Sequence, residues 1–365
     1  MTEPRSTWLR YTDDVEQLHP DEDRLIAETV AAMGRVARAR NEAGRHGVRD
    51  VHAKSHGLLR GELRVHDDLP PHLAQGLFAT PATYPVIIRL STTPGTVTDD
   101  RDTQPRGMAI KVLGVPGERA VDDGASTQDL VLVNAPIIPF GDIAAYHDRQ
   151  IADERNPPSA FRLRLVALGA RLARWGLRLI HRPVPPILDI LGQPNTNPLG
   201  ETYHSMAALR YGDHVAKLSV APASPSVRAL TGVPIPDDAG DSVLRDLVVA
   251  HFAGDSATYE LRAQLCADLA TMPVEDASVP WPESESPHQP VATIEIGPQD
   301  AYSDERRAYV DDVLSFTPWH ALAAHRPLGS IMRVRRAAYQ QSSDLRHEYN
   351  AVAAVEPRTI DDLPD

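Results

Sequence analysis

The chain has 365 residues, of which 42% are hydrophobic and 32 are prolines, and its formal net charge is −13. The length permits one large domain or two to three ordinary ones, and the scattered prolines are typical of a loop-rich globular protein. The negative charge excludes nucleic acid as a favoured partner, because an acidic surface repels phosphate backbones. A single cysteine, Cys266, excludes an internal disulfide and a cysteine-based metal cluster. Its apolar surroundings predict a buried, inert thiol on a helix face.

The N-terminus is polar and the sequence lacks a run of about 18 apolar residues. We therefore expect a cytoplasmic protein with neither a secretory signal nor a membrane-spanning helix. We predict that residues 1–20 form a loose N-terminal arm, that residues 21–350 form a single domain, and that residues 351–365 form a C-terminal tail. A helix is predicted from Asp21 to Asn41, where apolar residues recur at helical spacing.

Short apolar stretches separated by Gly, Pro and Asp follow this helix. Such a succession is typical of an antiparallel sheet or barrel. The predicted strands cover residues 61–65, 86–91, 107–113, 128–134, 206–211, 216–221 and 291–296, with 241–253 open to either strand or helix. Helices are predicted over residues 142–182, 259–268, 306–314 and 331–346, and a loop over 183–202.

Residues 162–182 are basic and amphipathic in an otherwise acidic chain. Three interpretations remain open for this stretch. It lies on anionic lipid, it lines the entry for an amphiphilic substrate, or it is an ordinary surface helix whose arginines extend their charged ends into water.

Two short stretches carry candidate chemistry. His52 lies just before strand-like sequence, and an imidazole takes up and returns a proton near neutral pH. Near the C-terminus, Arg335 and Tyr339 are four residues apart and share a helix face. A guanidinium beside a phenol favours the phenolate, which suits ferric iron as a ligand. Each feature alone is more typical of ordinary structural packing.

Five motifs, taken in chain order, resemble the catalase superfamily of haem enzymes over residues 45–350. The motifs are Arg49-Asp-Val-His52-Ala-Lys, Arg89-Leu-Ser91-Thr, Arg106-Gly-Met-Ala-Ile-Lys111, Asn134-Ala-Pro-Ile, and Arg335-Arg-Ala-Ala-Tyr339 followed by Arg346. The resemblance implies an α+β fold, in which a catalase-like antiparallel β-barrel is surrounded by helices. Both the long N-terminal arm and a C-terminal flavodoxin-like domain are expected to be missing.

The resemblance also implies haem b (iron protoporphyrin IX) as cofactor and a role for each matched residue. His52 is the distal acid–base residue, Ser91 orients its ring, and Asn134 hydrogen-bonds the peroxide. Tyr339 ligates the iron with Arg335 beside it. The haem propionates are bound by Arg49, Arg89 and Arg346. His56 falls outside the motif frame and is interpreted as a surface residue.

The chain departs from the catalase pattern near the distal side, where it reads Ile137-Ile-Pro-Phe140 and carries Thr93 in place of a valine. Less aromatic bulk predicts a wider pocket. We therefore predict a homodimeric peroxidase that reduces organic hydroperoxides and hydrogen peroxide through an oxoferryl haem. A small organic electron donor restores the enzyme, and catalase activity is weak. The alternatives are a true catalase, a fatty-acid hydroperoxide isomerase of the allene oxide synthase type, and a haem carrier or sensor.

Overall fold

One antiparallel sheet forms the centre of the protein. The computed structural model describes residues 8–157, 160–236 and 238–364. The strands are β1 (Lys54–Val65), β2 (Thr83–Thr92), β3 (Arg106–Val112), β4 (Gln128–Val133), β5 (Tyr203–His204), β6 (Leu209–Tyr211), β7 (His214–Pro222), β8 (Ala257–Leu265) and β9 (Gln289–Ile296). They follow the order β5-β4-β3-β2-β1-β9-β8-β7-β6. Because β5 also pairs with β7, eight strands close into a barrel and β6 is added outside it.

The barrel is filled by apolar side chains, and part of its outside is covered as well. Leu59, Val86 and Ile88 belong to the interior cluster. Leu58 and Ile87 point the other way and pack under residues 310–314. Because both faces of β2 are buried, its sequence is a continuous apolar run rather than an alternating one. Burial of each such side chain stabilises the fold by about 1.5–3 kcal/mol.

Helices surround the barrel. They are α1 (Glu22–Gly44), α2 (Ile143–Arg155), α3 (Ala160–Leu179), α4 (Pro186–Leu191), α5 (Pro225–Arg228), α6 (Val243–Phe252), α7 (Asp304–Ala308) and α8 (Ser330–Asn350). A π-helical turn, Tyr309–Val313, continues α7. The helices α1, α2 and α8 pack together around Leu25, Ile143 and Val334. Of the helices in the described ranges, none combines the length and the apolar character needed to cross a bilayer.

The predicted fold class is confirmed, and so are the strands predicted between residues 61 and 134. The helix predicted over residues 259–268 is wrong, because this segment is β8. Tyr259, Leu261 and Ala263 are buried while the residues between them are partly exposed, which is the two-residue period of a strand. Cys266 follows β8, so the prediction that it lies on a helix face is also wrong. Its burial is confirmed, and burial raises the pKa of the thiol to about 12.

Several boundaries differ from the prediction. Residues 241–253 contain a helix, α6. The segment predicted as one helix over residues 142–182 is two helices, α2 and α3, and its residues 158 and 159 lie outside the described ones. The predicted loop 183–202 contains the short α4, and the helix predicted over 306–314 becomes a π-helical turn after Ala308.

Neither terminal segment is loose where the structure describes it. The Leu9 backbone N–H donates to the Cys266 carbonyl over 2.9 Å, and Val15 is buried. At the other end, Glu356 forms an ion pair with Lys111. The arm predicted over residues 1–20 is therefore packed against the barrel from residue 8 onward, and its first seven residues lie outside the described ones.

Candidate functional site

The segment between α1 and β1 holds His52 in a left-handed backbone conformation, with φ of 59°. Such a conformation costs about 1–3 kcal/mol in a residue other than glycine and persists only when its surroundings enforce it. Two helices supply that constraint. The Asp50 backbone N–H donates to Ser342 Oγ on α8 over 3.2 Å. The Asp50 carboxylate accepts from Arg40 Nη2 on α1 over 2.9 Å.

Strands β2 and β3 position the His52 ring. Ser91 Oγ lies 3.2 Å from His52 Nδ1, which is the contact that an orienting role requires. Arg89 Nη2 donates to the His52 carbonyl over 2.7 Å. Gly107 leaves room for the ring, since a Cβ atom there would lie 2.8 Å from His52 Cε1. Sequence reasoning missed Gly107, although it stands inside the third motif.

The surroundings of His52 favour the neutral imidazole. Burial lowers its pKa, and the positive charges of Arg89, Arg335 and Arg49 lower it further, to about 3. The side chain is partly accessible although it lies deep in the protein, as expected for the wall of an internal space. Because Arg335 belongs to α8, this electrostatic effect also indicates that α8 lies near His52.

On α8, Arg335 and Tyr339 are in contact. Arg335 Nη2 donates to the Tyr339 hydroxyl over 2.7 Å, and Arg335 Cζ lies 5.0 Å from the centre of the tyrosine ring. Tyr146 of α2 lies within electrostatic range of both, and burial raises its pKa to about 12. Sequence reasoning missed Tyr146, because nothing in α2 marks one aromatic residue as facing α8.

Three arginines that the sequence places far apart converge on Asp311, two on its carboxylate and one on its backbone carbonyl. Arg49 Nη1 lies 3.6 Å and Arg89 Nη2 3.9 Å from Asp311 Oδ1. Arg346 donates to the Asp311 carbonyl, and its Nη2 donates to Ser315 Oγ over 2.7 Å. The three guanidinium groups therefore surround the turn that follows α7.

This cluster carries more positive than negative charge. Burial, with repulsion between the arginines, lowers the pKa of Arg89 to about 9 and that of Arg346 to about 8. The Nε atoms of both residues and Oδ1 of Asp311 are buried without a hydrogen-bond partner. An anionic ligand would relieve the repulsion and accept hydrogen bonds from the two Nε donors. The three arginines thus fit a ligand with carboxylate groups.

Asn134 is held by its neighbours. Its Oδ1 accepts from the Arg106 backbone N–H over 2.8 Å, and its Nδ2 donates to Glu201. Glu201 also accepts from Arg106 Nη1 over 2.7 Å. One amide hydrogen of Asn134 is left for another acceptor. Glu201 was missed, because it lies in a Pro- and Asn-rich loop with no motif of its own.

The interpretation of His56 as a surface residue is wrong. β1 begins at Lys54, earlier than predicted, so His56 lies inside the sheet and is 1% exposed. Its Nε2 lies 2.6 Å from Thr92 Oγ1. Burial holds the pKa of His56 well below its ordinary value. His56 therefore supports the strands behind His52 rather than facing solvent.

A second buried cluster of charged residues does not belong to this site. Lys111 Nζ lies 2.9 Å from both carboxylate oxygens of Asp129 and also contacts Glu356. His320 Nδ1 lies 3.5 Å from Asp129 and 3.4 Å from Glu356. The acidic and imidazole groups are close enough to bind a cation. Because the Lys111 ammonium already lies among them, we interpret the cluster as an ion-pair network.

The closed eight-stranded antiparallel barrel with helices around it matches the fold of solved catalases, and this chain has the catalase fold. It is similar to a fungal catalase with a TM-score of 0.59 and 16% identity, covering 86% of this chain and 62% of that one. For a bacterial catalase the TM-score is 0.57 and the identity 14%, covering 87% and 61%. For catalase A from Saccharomyces cerevisiae the values are 0.59 and 16%, covering 86% and 65%.

The chain therefore spans less than two thirds of the length of these solved catalases. No protein-family model and no curated protein matches its sequence. At identities of 14–16%, the likeness shows the fold, and the chemistry has to be argued from the residues of this chain.

Proposed function

We propose that the protein is a haem enzyme that reduces organic hydroperoxides and hydrogen peroxide with electrons from an external donor. The observation that carries the proposal is the surplus positive charge of Arg49, Arg89 and Arg346, which the carboxylates of Asp311 and Asp312 compensate only in part. Haem b presents two propionates that such a cluster would bind, and Tyr339 would ligate its iron. When bound, haem supplies the redox chemistry, and the protein orients the reactants and moves protons.

His52 is the group that moves the proton. Its Nδ1 faces Ser91, so Nε2 is the atom left to accept a proton from a hydroperoxide and return it to the leaving oxygen. A pKa of about 3 makes a weak base. Anionic groups paired with Arg49 and Arg89 would offset the charges that lower this pKa and raise it toward neutrality. The remaining amide hydrogen of Asn134 is available to hold the peroxide.

The surroundings of Phe140 favour a peroxidase over a catalase. Phe140 is 44% exposed, and Arg149 Cζ lies 5.5 Å from its ring centre, so the phenyl group packs at the surface. Ile138 packs instead against Ala207, Ala277 and Met332. Phe140 therefore does not narrow the distal side, and position 138 carries no aromatic ring, which supports access for organic hydroperoxides.

Absorption spectroscopy and turnover test the proposal together. Protein titrated with hemin is expected to give a ferric tyrosinate-type spectrum. It should then oxidise a dye donor with cumene hydroperoxide faster than it evolves oxygen from hydrogen peroxide. Protein that rejects hemin would refute the proposal. Oxygen evolution as the main reaction would indicate a catalase. An isomerised lipid hydroperoxide without donor consumption would indicate an isomerase. Bound haem without turnover would indicate a carrier or sensor.

A further inference from the structure

The hairpin formed by α3 and α4 exposes an apolar stripe to solvent. The stripe consists of Leu165, Leu168, Leu172, Trp175 and Leu179, which are between 51% and 67% exposed. These residues follow the helical period, so they lie on one face of α3. In the described part of the chain, more than half of the exposed large hydrophobic side chains lie between residues 165 and 191. A concentration of this kind marks an interaction surface.

Arginines run along one edge of the stripe. Arg164, Arg171 and Arg178 are spaced seven residues apart, and each immediately precedes a leucine of the stripe. Residues 160–191 contain six arginines and one aspartate, Asp189, in a chain whose net charge is −13. Although Arg164 is paired with Asp102 outside the hairpin, the hairpin is a cationic, apolar surface on an acidic protein. A helix with these two properties is typical of one that lies in the interface of an anionic bilayer.

Beside the stripe, the arginines enclose a space for an anion. A cavity of about 440 Å³ is lined by Arg101, Arg171, Arg174, Arg178 and Trp175, among others, and no carboxylate of the described residues lines it. Asp189 lies outside the lining and pairs with Arg174 at 2.7 Å and with Arg178 at 3.5 Å.

The charge of the cavity is only partly compensated. Arg101 is paired with Asp99, whereas Arg171 contacts the hydroxyl of Thr103. A surplus of positive charge therefore faces the cavity, which suits a phosphate headgroup.

We infer that the α3–α4 hairpin docks the protein on the surface of an anionic bilayer, with the stripe at the acyl boundary and the cavity around a lipid phosphate. A second copy of the chain is a poorer occupant of this face. A two-fold interface would bring the arginine rows of the two copies together, and like charges in contact oppose association. The inference is independent of the proposed peroxidase function, although a membrane surface is where amphiphilic hydroperoxides accumulate.

Vesicle flotation with the full chain tests this inference. The protein is expected to bind vesicles of equal parts phosphatidylcholine and phosphatidylglycerol and not to bind vesicles of pure phosphatidylcholine. Salt is expected to release the protein from the vesicles. Leu172→Ser with Trp175→Ser should weaken binding at least roughly tenfold. Arg171→Gln with Arg178→Gln should weaken it roughly 30-fold.

Matched controls are available elsewhere on the surface. Leu18→Ser alters an apolar side chain that is 70% exposed, and Arg38→Gln with Arg155→Gln removes the same charge from two exposed positions. These variants should bind vesicles like the natural protein. All variants should retain hemin binding and turnover of cumene hydroperoxide, so a failure of docking is distinct from a failure of the proposed function. Equal binding to both kinds of vesicle, or to neither, would overturn the inference. So would a dimer that dissociates in the Leu172→Ser, Trp175→Ser variant.

Discussion

The ring of His52 occupies the space that a side chain at position 107 would fill. A Cβ atom on Gly107 would lie 2.8 Å from both Cε1 and Nδ1 of the imidazole, and 2.9 Å from Ser91 Oγ. Real Cβ atoms do not approach so closely, so either the ring or the strand has to move. Gly107 on β3 therefore helps to position His52 against Ser91.

Gly107→Ala is expected to slow the peroxide reaction roughly 100-fold, because a catalytic group displaced by about 1 Å loses that much. Stability should fall by only about 1–3 kcal/mol, since the ring is free to yield. Stopped-flow kinetics with a hydroperoxide and urea unfolding separate the two effects. Gly297→Ala is the control, because no heavy atom lies within 4 Å of a Cβ there. Equal kinetics for the two variants would contradict the role of Gly107.

The two histidines of the segment are expected to respond differently to removal. His52→Ala should retain haem and slow the peroxide step by roughly 10²–10⁴, the usual contribution of general acid–base catalysis. His56→Ala should leave that step near its natural rate. It should cost about 1–3 kcal/mol of stability, because Thr92 loses a buried hydrogen-bond partner. Rapid kinetics and denaturant unfolding of both variants provide the test, and a slow peroxide step in His56→Ala would argue against this division.

Sequence patterns predicted the barrel where apolar runs are unambiguous. β2 is buried on both faces, and its run Val86-Ile-Ile88 is typical only of a strand or core segment. In β8, Leu261 and Leu265 are four residues apart, a spacing that is compatible with a helix as well as with a strand. Pairing with β7 and β9 decides between the two, and those contacts are not local.

The site was predictable only to the extent that its residues belong to motifs. His52, Ser91 and Tyr339 were selected in this way, and the structure brings His52 and Ser91 into contact. Glu201 and Gly107 belong to the site because strand register and long loops place each of them beside a partner that is far away in the chain. No local pattern encodes that placement.

Tyr339→Phe tests the other half of the site. Removing the hydroxyl leaves Arg335 without the acceptor that it contacts at 2.7 Å and removes the only atom of this side chain that is able to ligate a metal. We expect weaker retention of hemin and a changed absorption spectrum in the haem that remains. Tyr349→Phe is the control, since it lies on the same helix and is 43% exposed. An unaltered spectrum in Tyr339→Phe would exclude this residue as the ligand.

Stability should depend on pH through the buried ion-pair network around Lys111. Although burial opposes its protonation, the nearby carboxylates of Asp129 and Glu356 raise the pKa of His320 to about 9 from the ordinary 6.5. Although burial favours its protonated form, the nearby His320 and Lys111 lower the pKa of Glu356 to about 2 from 4.5. The stabilisation from His320 is thus complete below 6.5 and lost as the pH rises through 9. The stabilisation from Glu356 is complete above 4.5 and lost as the pH falls through 2.

The network should therefore contribute most between pH 4.5 and 6.5. His320→Gln is expected to lower the free energy of unfolding by roughly 2 kcal/mol in this window and by little above pH 9. Urea unfolding of both proteins across this range measures the difference, and hemin binding of the variant should be unchanged because the network lies apart from the arginine cluster. A stability difference that stays constant with pH would mean that His320 acts through packing rather than through its charge.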